Sequence, residues 1–436
     1  MSGTHAHTVA YVAPTQFREE SPPASEVGFL GWLRENFFSS WWNTLLTILS
    51  LAFLAAILPG LVDWAILKSV WNANSLRECR DIIIATHGEG TTGACWAVIN
   101  ERFGQILYGF YPTELRWRPN VAFVLLFVAL APILFRTLKP LAWLMGGILV
   151  AKLLWGLYGI VGGSASVSAL WSPTAIVAAV VGALALVFSD GAYRKRWLIF
   201  SALFPVIAYF LIWGGFVLEP VQSNKIGGFL LTLIIGVTGI SASLPLGILL
   251  ALGRQSNLPV LKTVCVLFIE FIRGVPLITL LFVASTLLNY FLPPGTSFDL
   301  ILRVLIMVTL FASAYMAEVI RGGLAALPRG QYEAAESIGL TYWQGMRLII
   351  LPQALKISIP GIVNTFIGLF KDTTLVAVIG LLDPLGLTNP IRSDSAWNGI
   401  VWELYGFIAF IFFIFCWGMS QYSQWLETQL AAGDNR

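Results

Sequence analysis

Long apolar runs recur along this chain of 436 residues, and they leave few folds open to it. A helix needs about 20 apolar residues to cross a hydrocarbon core about 30 Å thick. Runs near that length occupy Trp41–Leu61, Asn120–Phe135, Leu141–Val161, Pro173–Phe188 and Trp197–Leu218. Five more follow at Gly228–Leu252, Val275–Phe291, Leu300–Ile320, Pro360–Leu381 and Val401–Gln421. Charged residues are 11% of the chain, where a soluble domain carries roughly 25%. The expectation is an all-α polytopic membrane protein with about ten transmembrane helices.

Residues 1–40 are polar, hold Pro14, Pro22 and Pro23, and lack an early apolar run. They read as an uncleaved cytoplasmic tail with a short interfacial helix at Phe29–Phe38. A polar stretch of about fifty residues, 68–118, separates the first two runs, and 220–227 (EPVQSNKI) is the best internal boundary. The division expected is a tail, 1–40; additional N-terminal helices with a periplasmic loop, 41–219; and a core, 220–429. The first core run carries Gly239, Ser243, Gly247 and Ala251 at spacing four, a stripe on which another helix can pack closely.

Basic residues in short loops set orientation. One side collects Arg136, Lys139, Arg194, Lys195, Arg196, Arg254, Lys262, Arg329, Arg347 and Lys356; the other holds Lys225 and Arg392. The richer side is cytoplasmic, which puts both termini there. Against this, Lys68, Arg77, Arg80, Arg102, Arg116 and Arg118 fall in the long loop assigned outside, interleaved with Glu78, Asp81, Glu89, Glu101 and Glu114. Cys79 and Cys95, with 15 residues between them in that loop, are either a disulfide or two free thiols, and an oxidising periplasm favours the bond. Cys265 and Cys416 read as buried apolar residues.

The polar island Glu333–Pro352, EAAESIGLTYWQGMRLIILP, stands between the third and fourth core runs. Gln331–Ile338 has a charged side and an alanine side, as a short surface helix would. Gly339 suits a C-terminal cap, since the left-handed conformation there costs least without a Cβ. A second short helix, Tyr342–Leu351, is expected to end at Pro352. The pair makes a knob presenting Glu333, Ala334 and Ala335.

The spacing of Glu333-Ala334-Ala335, Gly339, Ile349, Leu351 and Pro352 resembles the EAA motif of bacterial ABC importer permeases at every position. The strings EFIRGVPL, YMAEVIRGGLAALPRGQYEAAESIGL, ILPQALK and LFKDTTL narrow the resemblance to permeases for polar amino acids, closely over 228–429. It implies a type I five-helix core whose EAA loop, 328–352, docks on an ATP-binding subunit. The partners it implies are a second homologous permease, a homodimer of ATPases carrying ATP and Mg, a periplasmic amino-acid-binding protein, membrane lipid and an L-amino-acid substrate. The location it implies is the bacterial inner membrane. No GxxxxGK[ST] occurs, no nucleophile–base set stands out, and His5, His7 and His87 form no metal cluster, so neither an enzyme, a cofactor, a metal site nor a nucleic-acid partner is expected.

Glu270 and Arg273, and likewise Glu318 and Arg321, lie three apart and share a helix face. Both pairs read as structural braces for the loop, with a gating role as the alternative. Lys371 and Asp372 fall midway along Pro360–Leu381, followed by Thr373 and Thr374. Charges at that depth cost at least ~2.5 kcal/mol each and face a bundle interior or a wet cavity. They are either contacts for a zwitterionic substrate or a structural pair in a broken helix. An ion-coupled secondary transporter would use the same carboxylates as a coupling set, but it leaves the EAA spacing accidental.

Overall fold

The computed structural model describes residues 28–134, 143, 146–150, 152, 191–215, 217–287, 290, 293 and 298–434. The described residues of Met1–Val70 with Cys79–Cys95 make one compact unit, and those of Trp71–Glu78 with Trp96–Arg436 make another. Among them there is no β-strand, only isolated bridges.

In the first unit, α1 (Gly28–Phe37) turns into α2 (Trp41–Val62), where the Ser40 hydroxyl accepts from the Asn43 amide at 3.3 Å as an N-cap. A π-helical turn, Asp63–Leu67, extends α2. No residue of α2 is buried, as befits a helix whose solvent is lipid. Val70 pairs with Cys95, and a disulfide joins Cys79 to Cys95. Gly93 lies so close to Lys68 that an added Cβ would fall 1.8 Å from its carbonyl oxygen.

The second unit begins in the turn before α3 (Leu76–His87), whose first residues belong to it, and continues through α4 (Ala97–Tyr108), α5 (Trp117–Leu134) and α6 (Gly191–Trp213). Then come α7 (Gly228–Gln255), α8 (Pro259–Gly274) and α9 (Leu277–Phe282), the last extended by a π-helical turn, Val283–Leu287. Next are α10 (Leu300–Ala325), α11 (Arg329–Ser337), α12 (Tyr342–Gly345), α13 (Leu351–Asp372), α14 (Thr388–Arg392) and α15 (Trp402–Asp434). Five described helical stretches are long and apolar enough to span a membrane: Trp41–Leu67, Gly228–Gln255, Leu300–Ala325, Tyr342–Ile379 and Trp402–Leu430. α8 with α9 and its π turn, bent by 102°, passes the same test only as a pair, as a broken span or a re-entrant loop. The expected count of ten is not reached among the described residues. The run Asn120–Phe135 falls on α5 up to Leu134, and Trp197–Leu218 gives a shorter apolar helix, Ile199–Trp213. Pro173–Phe188 and nearly all of Leu141–Val161 lie outside the described residues, as do the first 27 residues of the tail.

The core forms where small residues let helices touch. The stripe on α7 faces α10: a methyl added at Gly247 would stand 2.7 Å from Met316 Cβ. One at Gly239 would stand 3.3 Å from Val308 Cγ1 and 3.1 Å from Leu369 Cδ2. These contacts make α7 and α10 parallel neighbours with α13 against both. Ser243 and Ala251 are fully buried in the same seam. On α10, Gly323 approaches the Ala354 carbonyl and Ser358 so closely that any Cβ would force the helices apart.

One helix differs from its expectation for a clear reason. The run expected at Pro360–Leu381 begins instead at Tyr342 and continues through a π turn, Met346–Ile350, α13, and a 3-10 segment, Thr373–Ile379, to left-handed Gly380. Pro352 therefore does not end the second loop helix. It occupies the first turn of α13, where its missing N–H is no loss.

Candidate functional site

At one end of the core the EAA stretch folds into the knob. Pro328 precedes α11 in an extended conformation, and Gly339 closes it with φ +77°. The Gly339 amide donates to the Glu336 carbonyl at 2.9 Å and Leu340 donates to Ala335 at 3.2 Å, the two bonds of a Schellman cap. Thr341 and Gln344 then form a capping box that starts α12. The two short helices cross where Ala335, buried, meets Gly345; a methyl on Gly345 would stand 3.4 Å from Ala335 Cβ. Gln353 clamps the crossing, donating to Gln331 Oε1 at 3.1 Å and to the Ile349 carbonyl at 2.9 Å. Ala335 is thus an internal contact rather than a presented residue, because the crossing needs its small side chain. Glu333 and Ala334 are exposed, Ile349 and Leu351 are half-buried, and Pro352 is exposed. Beside them Ile338, Tyr342, Trp343 and Leu348 are 53–69% exposed. Sequence reading passed over this apolar face, although a tryptophan and two aliphatics in so short a polar island were visible there.

Just behind the knob, five charges from α7, α8 and α10 form one network. Glu318 Oε2 accepts from Arg321 at 2.9 Å, Glu318 Oε1 lies 2.7 Å from Arg254, and Arg273 is 3.6 Å away. Arg254 also pairs with Glu270 at 2.8 Å, and the Arg273 guanidinium lies 5.5 Å from the Tyr315 ring centroid. The expected pair Glu270–Arg273 is therefore replaced by cross-helix contacts. On α8 Arg273 turns to Glu318 of α10, and Glu270 takes Arg254 of α7. Spacing along one helix sees only its own partners, so Arg254 was missed.

At the far end, Lys371 is exposed and Asp372, half-buried, is the last residue of α13; neither joins an ion pair among the described residues. They sit near the end of the long helix rather than at its middle, because that helix starts at Tyr342. Thr373 and Thr374 donate to the Phe370 and Lys371 carbonyls, closing the change from α to 3-10 winding.

Segments that precede the core are laced into this same end. Gly109 and Gly228 both have positive φ, and a Cβ on either would strike the other segment's backbone at 2.3–2.5 Å. The Gly228 amide donates to the Leu382 carbonyl at 2.7 Å. Arg102 pairs with Asp394 at 3.0 Å, and the indole of fully buried Trp397 donates to Glu101 at 2.8 Å. Asp383 is fully buried and accepts from the Gly386 and Leu385 amides; burial outweighs those bonds and pushes its carboxyl up to about 6. Beside this junction an open cleft of about 440 Å³ is lined by Trp71, Asn72, Asn74, Glu78, Asn100 and Glu101.

Membrane-length helices packed along small-residue seams define a polytopic helical membrane protein. The model for "binding-protein-dependent transport system inner membrane component" matches residues 243–426, and the chain belongs to that family. The glutamate/glutamine/aspartate/asparagine transport system permease protein BztC of Rhodobacter capsulatus is 54% identical over 97% of this chain and 98% of its own length. The inner membrane amino-acid ABC transporter permease protein YhdY of Escherichia coli is 42% identical over 92% and 93%. Among solved structures, the crystal structure of an amino acid ABC transporter with histidines aligns at 32% identity, covering 45% of this chain and 90% of that one, with a TM-score of 0.41. The chain is a multi-pass inner-membrane component of a binding-protein-dependent ABC importer.

Proposed function

We propose that this chain is the permease subunit that carries L-amino acids inward, with energy from ATP hydrolysed on a homodimer of partner ATPases that holds ATP and Mg. The observation that carries the reading is likeness over nearly the whole chain to an amino-acid permease, with the EAA spacing intact. The relative's name supports acidic amino acids and their amides as substrates. A second, homologous permease completes the membrane core, and a periplasmic binding protein delivers substrate.

In this reading the knob faces the cytoplasm with both termini, residues 220–429 form the core, and 41–219 are an added N-terminal part. The exposed face of Glu333, Ala334, Ile338, Trp343 and Leu348 suits a protein cleft: apolar surface supplies burial and the carboxylate a directional contact. Closure of the ATPase dimer moves the knob, and the core helices alternate between outward and inward openings. The test is uptake by membranes carrying the full set of subunits, with the ATPase's retention followed by mild-detergent purification. Glu333→Lys and Gly339→Asp should each leave the helices folded yet detach or uncouple the ATPase. Wild-type uptake and ATPase retention in both would refute the docking role, and uptake persisting without any ATPase would refute the importer.

A further inference from the structure

Arg303, in the first turn of α10, is 9% exposed and has no carboxylate within ion-pairing distance among the described residues. Its Nη1 donates to the Ser285 carbonyl at 2.7 Å and reaches that of Ala284 at 3.5 Å. Its Nε is buried with no hydrogen-bond partner among the described residues. It is a buried cation inside a membrane-length helix with no counter-ion among the described residues. A buried charge of this kind is costly unless something anionic meets it.

Its surroundings are unusual in the core. The carbonyls it holds belong to the π turn Val283–Leu287, and α9, which that turn extends, packs on both α10 and the 3-10 segment Thr373–Ile379. Irregular backbone at membrane depth persists where protein buries it or where it lines a cavity. Paired breaks of this sort build substrate sites in transporters. Depth follows from the helix seam. Gly239 faces both Val308 and Leu369, and Gly236 faces Phe370 and Thr373. Arg303, one and a half turns out from Val308, therefore lies at about the level of Asp372 and Thr373. Thr232, one turn out from Gly236, lies about 3 Å farther out than Arg303; it is fully buried and its hydroxyl has no partner among the described residues.

We infer that Arg303 binds the carboxylate of the transported amino acid, at a site in the far half of the core. The inference rests on the importer reading. Its fork of N–H donors suits a carboxylate, and the two main-chain carbonyls hold the guanidinium in place before the ligand arrives. Asp372, at the same level, is placed to take the ammonium group. The carboxylate is either the one all amino acids share or that of an acidic side chain, and ligand choice separates the two.

The experiment uses the full membrane complex in nanodiscs, without the soluble binding protein, and measures affinity for L-glutamate, L-glutamine and 4-aminobutanamide. Wild type is expected to bind both amino acids and not the decarboxylated amide; binding of glutamate alone would assign the side-chain carboxylate. Arg303→Gln should weaken the carboxylate ligand roughly tenfold or more. Arg303→Lys, which keeps the charge but not the fork, should fall between, and it decides the matter if the glutamine variant does not assemble. Unchanged affinity in these variants, even with a lowered unfolding temperature, would reduce Arg303 to a helix cap and overturn the inference. So would a wild type that binds none of the three. Failure of the importer reading is seen separately, as absent ATP-dependent uptake by the wild-type complex supplied with binding protein.

Discussion

On the membrane-length helices, the two ends of the core treat charge in opposite ways. Behind the knob, Glu318 gathers three arginines and Glu270 shares one of them, so the charges answer each other across α7, α8 and α10. At the far end, Arg303, Lys371 and Asp372 join no ion pair among the described residues. A network closed on itself ties helix ends together, its charges already balanced against one another. Charges held at membrane depth without partners are costly in the empty protein, and a zwitterion would relieve them. Under the proposed importer reading, the contrast separates residues that hold the frame on the ATPase side from residues available to the cargo.

Variants at each end can break that contrast. Glu318→Gln should have the largest effect, because three arginines lose their shared partner. Its side chain is 16% exposed but the arginines are 23–42% exposed, so the cost is about 2–3 kcal/mol, below that of a fully buried pair. Unfolding temperature and uptake should both fall. Lys371→Ala should instead lose or alter uptake while stability stays within about 0.5 kcal/mol, as for an exposed side chain. Normal uptake of every amino acid tested would remove Lys371 from the pathway.

Asp383 gives a pH test at the far end. Its folded pKa, about 6, stands above the ordinary 3.8, so the folded chain binds the extra proton. Stability should therefore decline as pH rises from about 4 to about 6 and then level off, and Asp383→Asn should flatten that slope in thermal unfolding. A wild-type curve without the decline would show that the carboxylate is solvated. The smallest effect is expected for Glu270→Gln. Its side chain is 54% exposed and it pairs with one arginine, so the loss should be under about 1 kcal/mol. A cost matching that of Glu318→Gln would mean the network has no centre.

What the sequence disclosed follows how far its rules reach. The Gly339 cap and the first loop helix were legible because a local backbone need dictates the residue. Pro352 was misjudged because the same ring that stops one helix is welcome in the first turn of another. Ala335 was taken for a contact surface, since nothing local reveals that Gly345 would cross over it. Arg254 stands 16 residues from Glu270 in sequence and on a different helix, beyond any spacing rule. Arg303 drew no notice as a lone cation near the end of an apolar run; its missing counter-ion is visible only in three dimensions. The lacing of Glu101 to Trp397 likewise spans 296 residues.

The unbroken winding from Tyr342 to Ile379 has a mechanical meaning. Its 38 residues span about 57 Å at helical rise, and hydrogen-bonded helix hardly shortens under load. Under the proposed importer reading, a shift imposed on the knob would reach the neighbourhood of Asp372 along this one continuous helix, through the π turn at 346–350 and past Pro360. The places where the winding changes, 346–350 and 373–379, are where that rod can absorb rotation. Stiffening either one would alter how far a stroke travels without touching the surfaces at its two ends.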